Sequence, residues 1–363
     1  ISSFVDNKIE LKNGDQFTAP SGASVEWVKE ESYFFKLSNW QEKLIKYYEL
    51  NPDAIAPKTR YNEVLSFLKS GLKDLSISRT TFDWGIPVPN SPNHVMYVWI
   101  DALCNYLTAV GYPDLKNNNF WPAIHIVGKD ILRFHAVYWP AILMAADIKP
   151  PKKIFAHGWW TNEGKKISKS LGNTIDPYDI INSYGLDQIR FFLFREVPFG
   201  NDGDFSRNSI SQRVNADLSN NYGNLVQRIS SFIVKNCNSE ILISDNFNNE
   251  DKKLITILEI KFKEYHSHLV LQQIDKSIKS IFELLTETNV YIDKQAPWKL
   301  KNSDIDRMST VLFLTSNIII KSTIMLLPII PSSAEKILEF FCIDKKLRNF
   351  DNITKFSKIK INN

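Results

Sequence analysis

Three lysines and two serines stand within the six positions from Lys165 to Ser170, in the string EGKKISKSLG between Gly164 and Gly172. Lysine ammonium groups hold phosphate as point charges, and hydroxyls and loop amides add hydrogen bonds. A loop of this kind can stabilise charge that develops only in a transition state, as on a departing pyrophosphate. Only Ile167 is apolar there, and the hydroxyls interrupt any charged helical face, so the string is expected to be a loop. A solvated lysine-rich turn has the same composition. The Ser-Lys-Ser core, the flanking glycines and the place after the last expected strand favour phosphate.

A second group is aromatic. Ile131, His135 and Trp139 recur at i, i+4 and i+8, which puts them on one helix face. Trp99 and Tyr106 come from the strand–helix unit before. Two indoles, a phenol and an imidazole would suit a small, soft, apolar ligand such as a thioether. The same residues could simply be core, and spacing alone favours that reading.

Such residues need a frame. "HVMYVWI" (94–100), "AIHIVG" (123–128) and "KKIFAHGWW" (152–160) are expected strands. "DALCNYLTAV" (101–110) and "KDILRFHAVYWPAILMAA" (129–146) are the helices between them. Strand–helix alternation with apolar strands predicts a parallel sheet covered on both faces, with ligands beyond the carboxyl ends of the strands. Residues 1–37 are expected to be short strands and turns, 38–75 helical with a Ser38 N-cap, and 76–94 an irregular connection. From about Asn208, apolar residues such as Leu218, Tyr222, Leu225, Ile229, Phe232 and Ile233 recur at helical spacing, which predicts a helical bundle.

With 363 residues, 44% of them hydrophobic, the chain can build two or three domains. A net charge of +4 permits a polyanionic partner without requiring one. Cys104, Cys237 and Cys342 are far apart and odd in number, which argues against a disulfide framework or a cysteine zinc site and for a reducing cytoplasm. Residues 312–331 are apolar enough to resemble a membrane span, but Lys321 near the centre favours a buried bundle helix. The residues from Ile1 onward carry no basic region followed by an apolar run, so no signal peptide is expected there.

Lys166-Ile167-Ser168-Lys169-Ser170 matches the "KMSKS" signature of class I aminoacyl-tRNA synthetases. The strings "FAHGWWTNEGKKISKSLGNTIDP", "SISRTTFDWGIPVP", "YVWIDALCNYLTAVGYP" and "HIVGKDILRFHAVYWPA" resemble the bacterial-type methionyl-tRNA synthetases from about residue 10 onward. The resemblance implies an α/β plus all-α architecture: the second half of a Rossmann-like parallel sheet with part of a connective insertion, then an α-helical anticodon-binding bundle. The implied boundaries are 1–75 for the end of the insertion, 76–160 for the half Rossmann-type domain, 161–207 for the KISKS loop and linking region, and 208–363 for the bundle.

It also implies ATP-dependent attachment of L-methionine to its tRNA through a methionyl-adenylate, with ATP and Mg2+ as substrate and counter-ion. Trp99, Ala102, Tyr106, Ile131, His135 and Trp139 would line the methionine pocket, His135 and Tyr106 nearest the sulfur. Gly128, Lys129, Asp130, His157, Gly158 and Lys169 would meet ATP. Lys166, Ser168, Lys169 and Ser170 would act on the triphosphate, and Arg79 would lie near the active site. Asn224, Arg228 and Trp298 would read a CAU anticodon, Arg as a donor fork, Asn as donor and acceptor, Trp as a stacking plane.

Two departures stand out. None of the six histidines lies in a "HIGH" string, the other signature of this class. The first half of the nucleotide-binding fold is therefore expected to be missing, leaving apolar sheet surface exposed and the chain inactive alone. Where some relatives carry a zinc knuckle, "TAPSGASVEW" has Ala19, so no zinc ligands are expected. A monomer free of membranes is the simplest expectation. Leucine, isoleucine and valine enzymes, which carry large editing insertions, and cysteine enzymes, which use a zinc site, do not fit, and the aromatic pocket at Trp99, Tyr106 and Trp139 favours methionine. The competing reading is a non-catalytic tRNA-binding protein derived from a synthetase; the KISKS loop and the pocket argue against it.

Overall fold

In the computed structural model, which describes residues 17–18, 24–25, 30–114, 119–167, 172–241, 244–353 and 358–361, the helical stretch expected at 38–75 is broken in two. Helices α1 (Gln41–Leu50) and α2 (Lys58–Lys69) flank a short strand at Ile55–Ala56. Ser38 does not cap α1. Its amide and hydroxyl both donate to Asp74, at 3.1 and 2.6 Å, and a 3₁₀ turn at Leu37–Trp40 leads into the helix.

The chain divides into two units, Ile1–Ala156 and His157–Asn363. In the first, β1 (Phe17–Thr18) pairs with β2 (Ser24–Val25), and β3 (Phe34–Phe35) with β5 (Leu75–Ser76), all antiparallel. The Asn-Gly hairpin expected earlier and Ala19 lie outside the described residues. The strand at Ile55–Ala56, β4, was hidden by its two-residue length. The connection at 76–94 contains β6 (Ser78–Arg79), β7 (Pro87–Val88) and β8 (Ser91–Met96), an antiparallel sheet in the order β6-β8-β7.

That sheet corrects the strand expected at 94–100. β8 stops at Met96, and α3 (Val98–Ala109) takes Trp99 into its first turn. A short apolar run fits either a strand or a helix start, so its composition could not decide. A second sheet of this part of the chain runs β4-β10-β9, with β9 at Ile124–Gly128 and β10 at Lys153–His157. β10 is parallel to β4, with Ile154 opposite Ile55 and Phe155 opposite Ala56. Ile154, Phe155 and Ala156 are all buried, as a strand covered on both faces requires. β9 alternates instead: His125 and Val127 point inward, while Ile124 and Ile126 are 50% and 57% exposed. Tyr48 and Tyr61 tie the helical cover to the core, through hydroxyls donated to the carbonyls of Ala136 at 2.6 Å and Tyr48 at 3.0 Å.

The helix expected at 129–146 is composite. A 3₁₀ turn (Lys129–Ile131) is followed by a π turn (Phe134–Tyr138) and by α4 (Trp139–Ala145). Wide π turns inside helices occur frequently at functional sites.

The second unit opens with β11 (Trp160–Asn162), β12 (Lys165–Lys166) and β13 (Gly203–Phe205), in the order β12-β11-β13. α5 (Pro177–Tyr184) has Pro177 at its first position, and the Asp176 side chain accepts the Tyr178 amide. α6 (Leu186–Arg195) and α7 (Arg207–Arg213) lead to a ten-residue π segment, Val214–Gly223, and then α8 (Asn224–Asn236). The bundle is completed by α9 (Asn249–Val270), α10 (Ile274–Gln295), α11 (Pro297–Leu300), α12 (Ile305–Leu326) and α13 (Pro331–Phe340). β14 (Glu240–Ile241) and β15 (Ile359–Lys360) add a small ladder that the periodicity did not reveal.

α12 is long and apolar enough to cross a membrane, but 94% of that stretch is buried in the bundle. Its Lys321 donates to the Ile353 carbonyl, and burial lowers the ammonium pKa to about 8. Asp187 on α6 accepts the Ser333 amide at 2.6 Å, which places a carboxylate at the N-terminus of α13.

Candidate functional site

The aromatic residues foreseen from spacing meet in the first unit. Trp99 stacks on Phe134, with centroids 4.0 Å apart and planes 16° from parallel. It also stands edge-on to His135 at 6.1 Å. Tyr106 lies 5.7 Å from the His135 ring and 6.4 Å from Trp139. Ile131 supplies the carbonyl that receives His135 Nδ1 at 3.0 Å. Ala102 is exposed on α3, on the face set by Trp99 and Tyr106.

The hydrogen bonds fix the state of His135. A carbonyl only accepts, so Nδ1 carries the proton. Burial lowers the imidazole pKa, against a small opposing effect of the Ile131 bond, and keeps the ring neutral. Nε2 is then a bare acceptor, and the Tyr106 hydroxyl donates to it at 2.9 Å.

Two rings that spacing had not singled out complete the nest. His125, 4% exposed, lies 4.2 Å from Tyr106 and 5.9 Å from His135. Burial, reinforced by the neighbouring His135, lowers its pKa to about 4. Trp121 lies 6.0 Å from His125 and 6.3 Å from Trp139. The signal for His125 was the period-two alternation of β9, which aims it inward beside Val127.

Gly128 and His157 are the last residues of β9 and β10, where strand ends meet ligands in parallel sheets. Lys129 and Asp130 open the 3₁₀ turn that follows Gly128. Arg79 donates to the Ser76 hydroxyl at 2.7 Å, lies over the Tyr97 ring at 4.4 Å and faces Glu30 at 3.9 Å.

In the second unit, His157 stacks on Phe199 at 6.2 Å. Gly158 follows it for a steric reason: a Cβ there would lie 2.1 Å from the Asn201 carbonyl oxygen. The lysine–serine string starts differently from the loop expected. Lys165 and Lys166 form β12 and pair with Asn162 and Thr161 across a two-residue turn. Both turn residues, Glu163 and Gly164, have positive φ (51° and 74°), the conformation a tight hairpin turn needs. Asp204 holds this hairpin by accepting the Thr161 hydroxyl at 2.6 Å and the Gly164 amide at 2.7 Å. Asn162 donates to the Asn173 carbonyl at 2.9 Å and so ties the two ends of the segment. Ser168, Lys169 and Ser170 lie outside the described residues, as does the Lys166 side chain.

On the bundle, Arg228 and Trp298 come together from α8 and α11, the guanidinium 5.4 Å from the indole ring. Both are 42% exposed, and Asp293 holds Arg228 at 2.8 Å. Asn224 is exposed one turn earlier on α8.

Residues 8–230 match the model of a family described as tRNA synthetases class I (M), and residues 243–360 match the anticodon binding domain of methionyl tRNA ligase. The parallel pairing, the nest, the hairpin and the bundle thus belong to a class I synthetase architecture. A methionine–tRNA ligase of Rickettsia conorii is 54% identical over 92% of this chain and 67% of its own length. That of Rhizobium meliloti is 48% identical over 96% of this chain and 69% of its own. The Mycobacterium tuberculosis methionyl-tRNA synthetase bound by methionyl-adenylate superposes with a TM-score of 0.92 at 42% identity, over 99% of this chain and 72% of that one. The chain belongs to the methionine–tRNA ligase family and spans about two thirds of the length of these curated relatives.

Proposed function

We propose that this chain selects L-methionine and handles ATP in the attachment of methionine to a tRNA with a CAU anticodon. One observation carries the reading: a buried, neutral His135 held between the Ile131 carbonyl and the Tyr106 hydroxyl inside a ring of aromatic side chains. Trp99, Ala102, Tyr106, Ile131, His135 and Trp139 enclose the methionine side chain, and the wall excludes water and charged competitors.

The methionine carboxylate then attacks the α-phosphate of ATP in line. A new P–O bond forms, the bond to the β-phosphate oxygen breaks, and pyrophosphate leaves. Gly128, Lys129, Asp130, His157 and Gly158 meet the adenosine side. Lys166 and Lys169, with Ser168 and Ser170, neutralise the leaving charge. A ribose hydroxyl at the end of the tRNA next attacks the acyl carbon and AMP departs. No covalent enzyme intermediate is required, so positioning and charge stabilisation carry the rate. The Mycobacterium relative bound by methionyl-adenylate supports this order. Magnesium enters as the counter-ion of ATP. Among the described residues no three metal-ligating side chains stand together.

The division 1–75, 76–160, 161–207 and 208–363 belongs to the same reading, with the last segment reading the anticodon through Asn224, Arg228 and Trp298. So does a monomer in the cytoplasm, free of membranes; the burial of α12 and three free cysteines support that setting. The test is binding of methionine-accepting tRNA against the same tRNA with an altered anticodon, at fixed salt because phosphate contacts are salt-dependent. Preference for CAU, lost about tenfold or more in Trp298→Ala, is expected from the loss of one stacked base. Equal binding to both tRNAs would reduce the bundle to a basic surface.

A further inference from the structure

Trp298 rides on α11, a helix of four residues. A single turn has almost no stability of its own. It is entered through Ala296, which ends α10 and begins α11 in the left-handed region, at φ 45° and ψ 60°. A side chain disfavours that backbone, and a residue held there persists only where its surroundings impose it. Among the described residues no side chain caps α11. Yet the Trp298 ring stands 5.4 Å from the guanidinium of Arg228, on α8. The bend must therefore be fixed from outside the short helix.

One hydrogen bond closes the neck of this turn. Residues 295–307 leave α10, pass through α11 and enter α12. Arg307 Nη2 donates to Gln295 Oε1 at 2.7 Å, across twelve positions of the chain. A guanidinium only donates, so Gln295 turns its carbonyl oxygen to it. Arg307 is itself held at both ends. Its amide donates to the Asp304 carboxylate at 2.9 Å, and its guanidinium gives Asp251 two bonds, of 2.5 and 2.7 Å. The Ala296 amide donates to the Ile292 carbonyl at 2.8 Å, and the Asp304 amide to the Leu300 carbonyl at 2.9 Å. Those two bonds anchor each side of the turn to its own neighbour; the bond from Arg307 to Gln295 joins the sides.

We propose that Gln295 and Arg307 are positioning residues for anticodon reading: their bond holds the left-handed bend at Ala296 and so keeps Trp298 beside Arg228. Neither need touch a base. The proposal rests on Trp298 being a stacking plane for the anticodon. A ring already in place binds a base without the cost of ordering it, and losing the clamp restores that cost.

The experiment measures binding of methionine-accepting tRNA, and of the same tRNA with an altered anticodon, to the full chain at fixed salt. Gln295→Leu keeps the bulk of the side chain and removes the acceptor. It should lower the preference for CAU several-fold by weakening the CAU tRNA while leaving the altered tRNA nearly unchanged. Arg307→Lys, which keeps a cation on Asp251 without the fork that spans both partners, should do the same. Gln295→Glu, which restores an acceptor, should recover the preference. Added to Trp298→Ala, Gln295→Leu should lower it no further, because the two residues act as one unit. An unchanged preference in Gln295→Leu overturns the proposal. Equal weakening of both tRNAs overturns it too, as does a further loss on top of Trp298→Ala. If Trp298→Ala itself keeps the preference, the anticodon reading fails and the proposal falls with it, a different failure seen before Gln295 is changed. A second measurement needs no tRNA. In a fluorotryptophan-labelled chain, the Trp298 line, assigned by its absence in Trp298→Phe, should shift or broaden in Gln295→Leu while the other indole lines stay. An unmoved Trp298 line would end the proposal, and lines that all move together would make Gln295 a residue of the whole fold and end it as well.

Discussion

Two buried polar clusters, one in each unit, handle their hydrogen bonds in opposite ways. In the helical unit, Asp251 is fully buried and fully engaged. Arg307 grips it with two bonds of 2.5 and 2.7 Å, the Tyr291 hydroxyl donates at 2.5 Å and the Asn248 amide at 2.9 Å. In the aromatic nest, His125 Nε2 and Trp139 Nε1 are left without partners among the described residues. A paired network rigidifies; an unpaired buried group costs free energy until something arrives to satisfy it. The first cluster is what a scaffold needs and the second is what a binding site needs. Asp251 also completes a capping box at the start of α9, and Arg307 reaches Gln295 at the end of α10, just before the turn that carries Trp298. The scaffold cluster therefore lies beside residues proposed to read the anticodon.

The largest expected effect tests the scaffold half. Asp251→Asn keeps the shape but strips the charge that Arg307 faces, leaving a guanidinium with a poor partner. Removing one member of a buried pair costs about 3–5 kcal/mol, and urea unfolding of the helical unit should show a loss of that order. A loss below about 1 kcal/mol would make the cluster an ordinary surface pair and erase the contrast.

Acid separates the two clusters by window. His125 titrates near 6.5 when unfolded and near 4 when folded. Between those values the unfolded chain binds more protons, so the stability of the first unit falls as pH drops from 6.5 toward 4. The full loss is on the order of 3 kcal/mol at about 1.4 kcal/mol for each pKa unit. His135 shifts in the same direction and adds to it. Asp251 behaves otherwise. Burial raises its pKa, but the bonds from Arg307, Tyr291 and the Asn248 amide outweigh that and leave it below 3.8. Its contribution is present above 3.8 and is lost only as pH falls further. Hydrogen exchange followed separately in β9–α4 and α9–α12 should therefore show the nest loosening first. Simultaneous loosening would mean that the histidines are not held neutral.

How much of this was legible in the sequence follows from period and length. The bundle was legible because a 3.6-residue period persists over long segments, and Tyr222, Leu225, Ile229 and Ile233 are buried as their spacing required. β9 and β10 were legible as apolar runs bounded by turns. β4 was not, since two residues carry no period, and the run at 94–100 was ambiguous between strand and helix start. The face of Ile131, His135 and Trp139 was found from α-helical spacing, although the backbone there passes through a π turn. His125 was missed because strand alternation shows direction but not neighbours. The string at 165–170 was read as all loop, yet it leaves from a hairpin set by Glu163 and Gly164. The mutual positions of Arg228, Trp298 and Asp293, drawn from α8, α11 and α10, depend on tertiary packing that no local pattern encodes.

The smallest effect bears on the hydrogen bond between the Tyr106 and His135 side chains of the nest. Tyr106→Phe removes the hydroxyl that donates to His135 Nε2 and leaves the ring in place. The lost bond is neutral and only partly buried, so the expected destabilisation is about 1 kcal/mol. The informative readout is the histidine. A donated hydrogen bond stabilises the neutral imidazole, so its loss should raise the His135 titration midpoint, which burial still keeps below the ordinary value. Nitrogen-15 spectra should show Nδ1 still protonated on the Ile131 carbonyl. If the tautomer instead flips, with the proton moving to Nε2, then the Tyr106 hydroxyl rather than the Ile131 carbonyl sets the state of His135. The nest would then hold a proton free to turn toward a ligand.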